Sequence, residues 1–222
     1  MLATQTWLDK LGAAARLNVS VVCRQAWMGG QYSLIQYTSF KPLPDYWASV
    51  LHKRLMGATV LDVGGSLEMG RSVRTWASCA HKKNAAAPRG AVTLLVLNTQ
   101  AEDATVQPVS NGRDLLAGGW DEYLLTPADA VAGLSSPDVA LNGVALGMVA
   151  PRGPSPALPE LAARPRTGSA LTLPGLSFGF FGACLLCATA RVPATRAVWL
   201  DLIHCRVGFG ASSPERCTRT CL

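Results

Sequence analysis

The sequence predicts two architectures in series. An α/β lead-in spans residues 1–57, an antiparallel β-sandwich spans residues 58–183, and a cysteine-rich tail of uncertain structure covers 184–222. Three observations carry this. Residues 1–57 run amphipathic helix, β-branched apolar stretch, loop and second amphipathic helix, the order of a parallel α/β unit. From residue 58 the texture changes to short apolar runs separated by Gly, Pro, Asn and Asp. Hydrophobic residues make up 49% of the chain and charged residues 15%, which suits a packed core and excludes global disorder.

The first helix is expected over residues 4–17, with Trp7, Leu8, Leu11 and Ala15 on its apolar stripe and Asp9 and Lys10 between them. Such an amphipathic start is not a secretory h-region, so the chain shows no signal peptide. It is either cytosolic or begins inside a longer reading frame. Residues 18–23 then read as a buried strand, β-branched and almost without alternation. Asn18-Val-Ser20 is also a glycosylation sequon, usable where Asn18 is exposed. In a parallel barrel the residues just past a strand's C-terminal end face the site. That puts Arg24, Gln25, Trp27 and Tyr32 on a functional rim; the plainer alternative is that Trp27 and Tyr32 pack the loop. In Lys41-Pro-Leu-Pro-Asp45 the two prolines hold the lead-in extended. A second helix is expected to start near Asp45, whose carboxylate suits the positive helix end. Trp47, Val50, Leu51 and Leu55 share one of its faces, and Gly57 is a natural stop.

Strand-like runs follow at 59–63, 73–79, 91–98, 105–109, 122–125, 139–146 and 170–181. Asn142-Gly143, between two Val-Ala-Leu triplets, is the strongest hairpin signal. Regularly spaced short strands imply the sandwich. Residues 150–166 carry five prolines and suit an extended connection. Residues 167–190 are uncharged and long enough to span a membrane. Pro174, Gly175, Gly179 and Gly182 interrupt them, and strand-like pieces fit Leu171, Leu173, Leu176 and Phe178 better; any membrane association is peripheral.

The net charge of +6 and pI near 9.1 suit an acidic polymer or an anionic surface, and equally describe a mildly basic globular surface. Seven cysteines are present, at 23, 79, 184, 187, 205, 217 and 221; an odd number argues against full pairing. The tail groups Cys184-Leu-Leu-Cys187, His204-Cys205 and Cys217-Thr-Arg-Thr-Cys221 only superficially offer metal spacing, so no metal and no cofactor is expected. Disulfides, or free thiols at a disordered end, remain open. Residues 197–207 suit one more strand or a short helix.

Trp7-Leu-Asp-Lys-Leu-Gly12, Val21-Val-Cys-Arg-Gln25 and Pro42-Leu-Pro-Asp-Tyr-Trp47 together resemble the heparanase family, glycoside hydrolase family 79. The likeness continues through Val92-Thr-Leu94, Asn98, Asp121-Glu-Tyr-Leu-Leu125, Leu141-Asn-Gly143, Met148-Val149 and Leu158-Pro-Glu-Leu161 to Phe180-Phe181. It covers roughly residues 7–181 in order and at similar spacing.

The resemblance implies a (β/α)8 barrel with an attached β-sandwich, in which residues 1–57 are the last helix, strand and helix of the barrel. It also implies an endo-β-glucuronidase acting on heparan sulfate-type glycosaminoglycans, secreted or lysosomal, with no nucleic acid as partner. Retaining glycosidases need two neighbouring carboxylates, and both family carboxylates lie upstream of the segment matching Trp7. The lead-in holds only Asp9 and Asp45, neither at a strand's C-terminal end, so no residue here is assigned as catalytic. The N-terminal part of the same enzyme is then a candidate partner. Carried over by resemblance, Gln25 and Tyr32 bind substrate; the placement of Tyr32 assumes a loop one residue shorter than the family's. Cys79 matches a paired family cysteine; the chain departs from the family after Phe181, which leaves Cys187, Cys184 or neither as its partner. The basic stretch before residue 73 is thinned to Arg71 and Arg74, with Glu68 nearby. A barrel fragment would leave Trp47, Val50, Leu51 and Leu55 unpartnered and the chain marginally stable.

Overall fold

The computed structural model describes residues 1–24, 26–29, 33–64, 71–81, 84, 90–110, 112–149, 157–184 and 206–207. Two helices, α1 (Leu2–Arg16) and α2 (Pro44–Leu55), lie on an antiparallel sheet. Both begin and end within a few residues of their expected bounds. Pro44 occupies the first turn of α2, where its missing N–H costs nothing, Asp45 follows it, and His52, Lys53 and Arg54 line the negative end.

The main strands are β1 (Met56–Leu61), β2 (Val73–Ala80), β3 (Ala91–Asn98), β7 (Trp120–Pro127), β8 (Val139–Leu141), β9 (Val144–Ala145) and β12 (Phe178–Cys184). They pair in the order β1-β2-β3-β12-β7-β8-β9; β10 (Arg164–Arg166) adds to β7, and β13 (Arg206–Val207) to β1. Two ribbons stand apart from this sheet: β4 (Ala104–Val106) with β11 (Leu171–Leu173), and β5 (Val109–Ser110) with β6 (Arg113–Asp114). The expected run at 105–109 is therefore split, at the point where Pro108 supplies no N–H for a ladder. Asn142 and Gly143 have φ of 52° and 87° and join β8 to β9 through a two-residue turn, as the dipeptide predicts. Within residues 167–190 the described part, 167–184, contains β11 and β12, and among the described residues no helix is long and apolar enough to cross a membrane.

The sheet is buried on both faces, which is why every residue of β3 is buried. Leu95, Leu97, Tyr123, Leu125, Phe178 and Phe180 meet Leu8, Trp47, Leu51 and Leu55 on the helical face. Val92, Leu94, Val96, Phe181 and Ala183 meet Leu61, Leu116, Leu171 and Leu173 on the other. This corrects the expectation that the apolar face of α2 lacks partners. Trp47, Leu51 and Leu55 are buried, each burial contributing on the order of 2 kcal/mol. The sheet supplies the surface that a barrel neighbour would otherwise supply.

α1 is fixed to the sheet by three residues at helical spacing. The Gln5 amide donates to the carbonyls of Asn98 at 3.1 Å and Ser177 at 3.3 Å. Asp9 accepts from Trp76 Nε1 at 2.9 Å and Arg74 Nε at 3.0 Å. A methyl group at Gly12 would fall 2.3 Å from the Trp76 ring, so glycine alone permits this approach. Asn98 is fully buried, and its amide donates to the carbonyls of Glu102, Leu173 and Pro174.

Two further expectations are corrected. Residues 18–23 form no strand: Asn18 turns left-handed at φ 57°, and the following residues lie in no helix or strand and are largely exposed. A strand's N–H and C=O groups need a neighbouring ladder, and no described strand lies beside this run. Gly57 is not a helix stop but part of β1. A side chain there would meet the Cys79 carbonyl at 2.4 Å, and α2 passes into β1 with no loop between them.

The ring of His52, on α2, stands edge-on to Phe180 at 6.3 Å between centroids, and burial lowers its pKa from 6.5 to about 4. Between these values the unfolded chain binds the proton and the fold does not, so stability is full above pH 6.5 and falls as pH drops toward 4. Chemical denaturation should show a loss of about 2 kcal/mol between pH 7 and pH 4.5 that His52→Phe removes. The difference between the two proteins isolates His52 from Asp121, whose carboxyl is raised by burial and works in the opposite sense.

Candidate functional site

The two residues expected to bind substrate, Gln25 and Tyr32, lie outside the described residues; the stems on either side of them are described. The Leu34 N–H donates to the Ala26 carbonyl at 3.2 Å and the Ile35 N–H to the Trp27 carbonyl at 3.1 Å. Ile35 bridges Met28 on one side and Pro42 on the other, and the Leu43 N–H returns to the Leu34 carbonyl at 2.9 Å. Residues 26–29 and 33–43 are therefore tied together at the base of the loop. Trp27 is 60% exposed, so of its two expected roles, packing the loop interior is the one the geometry disfavours.

The loop is anchored through Asp45. Its carboxylate is buried and accepts from Thr4 Oγ1 at 2.5 Å and from the Arg24 guanidinium, with which it forms an ion pair. The guanidinium lies 5.3 Å from the Trp7 ring centroid, in cation–π range. Trp7 Nε1 donates to Ser49 Oγ at 3.0 Å, and Ser49 Oγ donates to the Asp45 carbonyl at 2.7 Å. Arg24, expected on the rim, is thus a clamp that holds the chain next to Gln25 against both helices. Sequence reading placed Asp45 at the helix start but missed its two partners, 41 and 21 residues away.

A second polar feature lies on the helical face of the sheet. A small depression is lined by Leu55, Asn84, Thr93, Asp121, Tyr123 and Gly182. Burial raises the Asp121 carboxyl; burial, then the Asp121 charge, raises the Tyr123 phenol, while Arg54 pulls it down. Asp121 is the one carboxylate lining this depression, so the two-carboxylate chemistry of a glycosidase has no basis there. The adjacent Glu122 is buried on the opposite face and neutralised by Arg166 at 3.1 Å and Arg164 at 3.7 Å. Among the described residues no group of three His, Cys, Asp or Glu side chains could hold a metal ion. Cys79 is disulfide-bonded and Cys23 is a free, exposed thiol. The expected partner of Cys79, Cys187, lies outside the described residues, as do the remaining tail cysteines at 205, 217 and 221. Asn18 is exposed.

Removing one partner of a buried ion pair leaves the other charge uncompensated. Asp45→Asn should cost about 3 kcal/mol by denaturant unfolding. Arg24→Met, which leaves a carboxylate still bonded by Thr4, should cost less.

No protein-family model matches the chain. Comparison with curated proteins finds heparanase of Gallus gallus, 41% identical over 176 residues, which is 79% of this chain and 32% of that protein. Inactive heparanase-2 of Homo sapiens is 35% identical over 185 residues, 79% of this chain and 30% of that protein. Hyaluronoglucuronidase of Hirudo nipponia is 35% identical over 179 residues, 78% of this chain and 34% of that protein. The chain thus spans about a third of the length of the curated relatives it matches. With this identity sustained across most of its length, the chain is a heparanase-like member of glycoside hydrolase family 79.

Proposed function

We propose that the chain is the C-terminal part of a heparanase-like endo-β-glucuronidase of heparan sulfate-type glycans, and that alone it is catalytically silent. On this reading residues 1–57 derive from the end of a (β/α)8 barrel and residues 58–183 are its β-sandwich. The missing upstream part would bring the acid/base and the nucleophile. The observation that carries the proposal is the state of the lead-in's two carboxylates. Asp9 is bonded to Trp76 and Arg74, and Asp45 to Arg24 and Thr4. Each is saturated by the fold, whereas a retaining pair must stand about 5 Å apart across an open groove.

Gln25 and Tyr32 would position substrate. An amide can bridge two sugar hydroxyls and a phenol can hydrogen-bond a carboxylate, which orients a glucuronate without cleaving its bond. The clamped Arg24 and the tied loop stems favour such a role, because positioning requires a fixed backbone. The partner would be the N-terminal part of the same enzyme, and the location extracellular or lysosomal. A second reading is a non-catalytic, secreted glycan-binding relative, and the 35% identity to inactive heparanase-2 favours it.

Incubation of the purified chain with heparan sulfate should release no new reducing ends. Hydrolysis that copurifies with the chain would contradict the proposal. Adding the upstream barrel portion of an active relative separates the two readings. Restored cleavage, lowered roughly 10-fold or more by Gln25→Ala or Tyr32→Phe, supports the enzyme fragment. Salt-sensitive glycan binding without cleavage supports the binding protein.

A further inference from the structure

We propose that Asn18 is an N-glycan acceptor, presented on the exposed turn that ends α1. The triplet Asn18-Val19-Ser20 occurs once: no other asparagine in the chain is followed two residues later by Ser or Thr. The fold suits the modification independently of the motif. Asn18 sits at φ 57°, a conformation that asparagine tolerates. Its N–H donates to the Ala15 carbonyl at 3.2 Å, and the Val19 N–H to the Ala14 carbonyl at 2.9 Å. The backbone thus closes the helix by itself and does not need the side-chain amide as a cap. Asn18, Val19 and Ser20 are all exposed, and residues 21–24 beyond them lie in no helix or strand and pair with none of the described strands. Among the described residues neither the Asn18 amide nor the Ser20 hydroxyl has a hydrogen-bond partner.

The donor is a lipid-diphosphate-linked oligosaccharide. Asn18 Nδ2 attacks its anomeric carbon; the C1–N bond forms, the C1–O bond to diphosphate breaks, the amide loses one proton, and lipid diphosphate departs. A glycan here displaces no core side chain. It also screens Leu17, Val19 and Val21, which are 64%, 50% and 73% exposed.

The proposal rests on the secretory location in the functional reading above, and its test removes that dependence. The full chain is expressed in mammalian cells behind a cleavable secretory leader, and the retained and secreted fractions are treated with a peptide N-glycosidase. One step of increased mobility is expected, absent in Asn18→Gln and in Ser20→Ala and kept in Ser20→Thr. Peptide mapping should find aspartate at position 18 after treatment. A leader-processed chain with unmodified Asn18 in both fractions, or a shift that persists in Asn18→Gln, would overturn the proposal. Because the leader forces entry, neither result depends on glucuronidase activity or on the chain's natural compartment.

Discussion

The structure depends on the close approach of α1 to the sheet. Gln5, Asp9 and Gly12 recur every three or four residues and so share one helical face. The first donates into the turn where β3 and β12 meet the connection to β4. The second accepts from Trp76 and Arg74 on β2, and the third lets the Trp76 ring lie against the helix backbone. The directional groups fix the position of the helix, and the buried apolar groups beneath it provide most of the stabilisation. Leu8 is then buried beside Trp47, Leu51 and Phe180 in the helical-face core. Losing this contact would expose one face of the central strands as well as the helix.

The same contact governs the loop that precedes α2. Thr4 and Trp7 of α1 reach Asp45 and Ser49 of α2, and Arg24 joins the cluster from the connecting segment. The stretch flanking Gln25 is therefore held by a network whose positions are set by the sheet. On the proposed function, this links the β region to the loop that would position substrate. It also gives the chain an apolar surface for α2, where the barrel reading alone expects an unpartnered face.

What was legible in the sequence was local. The apolar runs became β2, β3, β7 and β12 because adjacent apolar residues can face opposite sides of a doubly covered sheet. Asn142-Gly143 gave a turn through its two left-handed residues, and Pro44-Asp45 gave a helix start. Illegible was what depends on pairing across long separations. Nothing near Asp9 announces a partner 67 residues away, and nothing near Asn98 announces that its amide will serve three carbonyls. The run at 18–23 failed for the converse reason: its composition is that of a strand, but composition cannot supply a ladder. Of the candidate site, Arg24 was found but given an open rim instead of a buried ion pair. The residue types were readable, and their partners were not.

The central claim is that the helices and the sheet form one cooperative structure. Native-state hydrogen exchange tests it most directly, because local and global opening separate by free energy. The account predicts that the most protected amides of α2 and of β3 open with the same free energy and respond alike to low denaturant. Helical amides that exchange orders of magnitude faster than β3, with protection lost while the sheet stays folded, would contradict it.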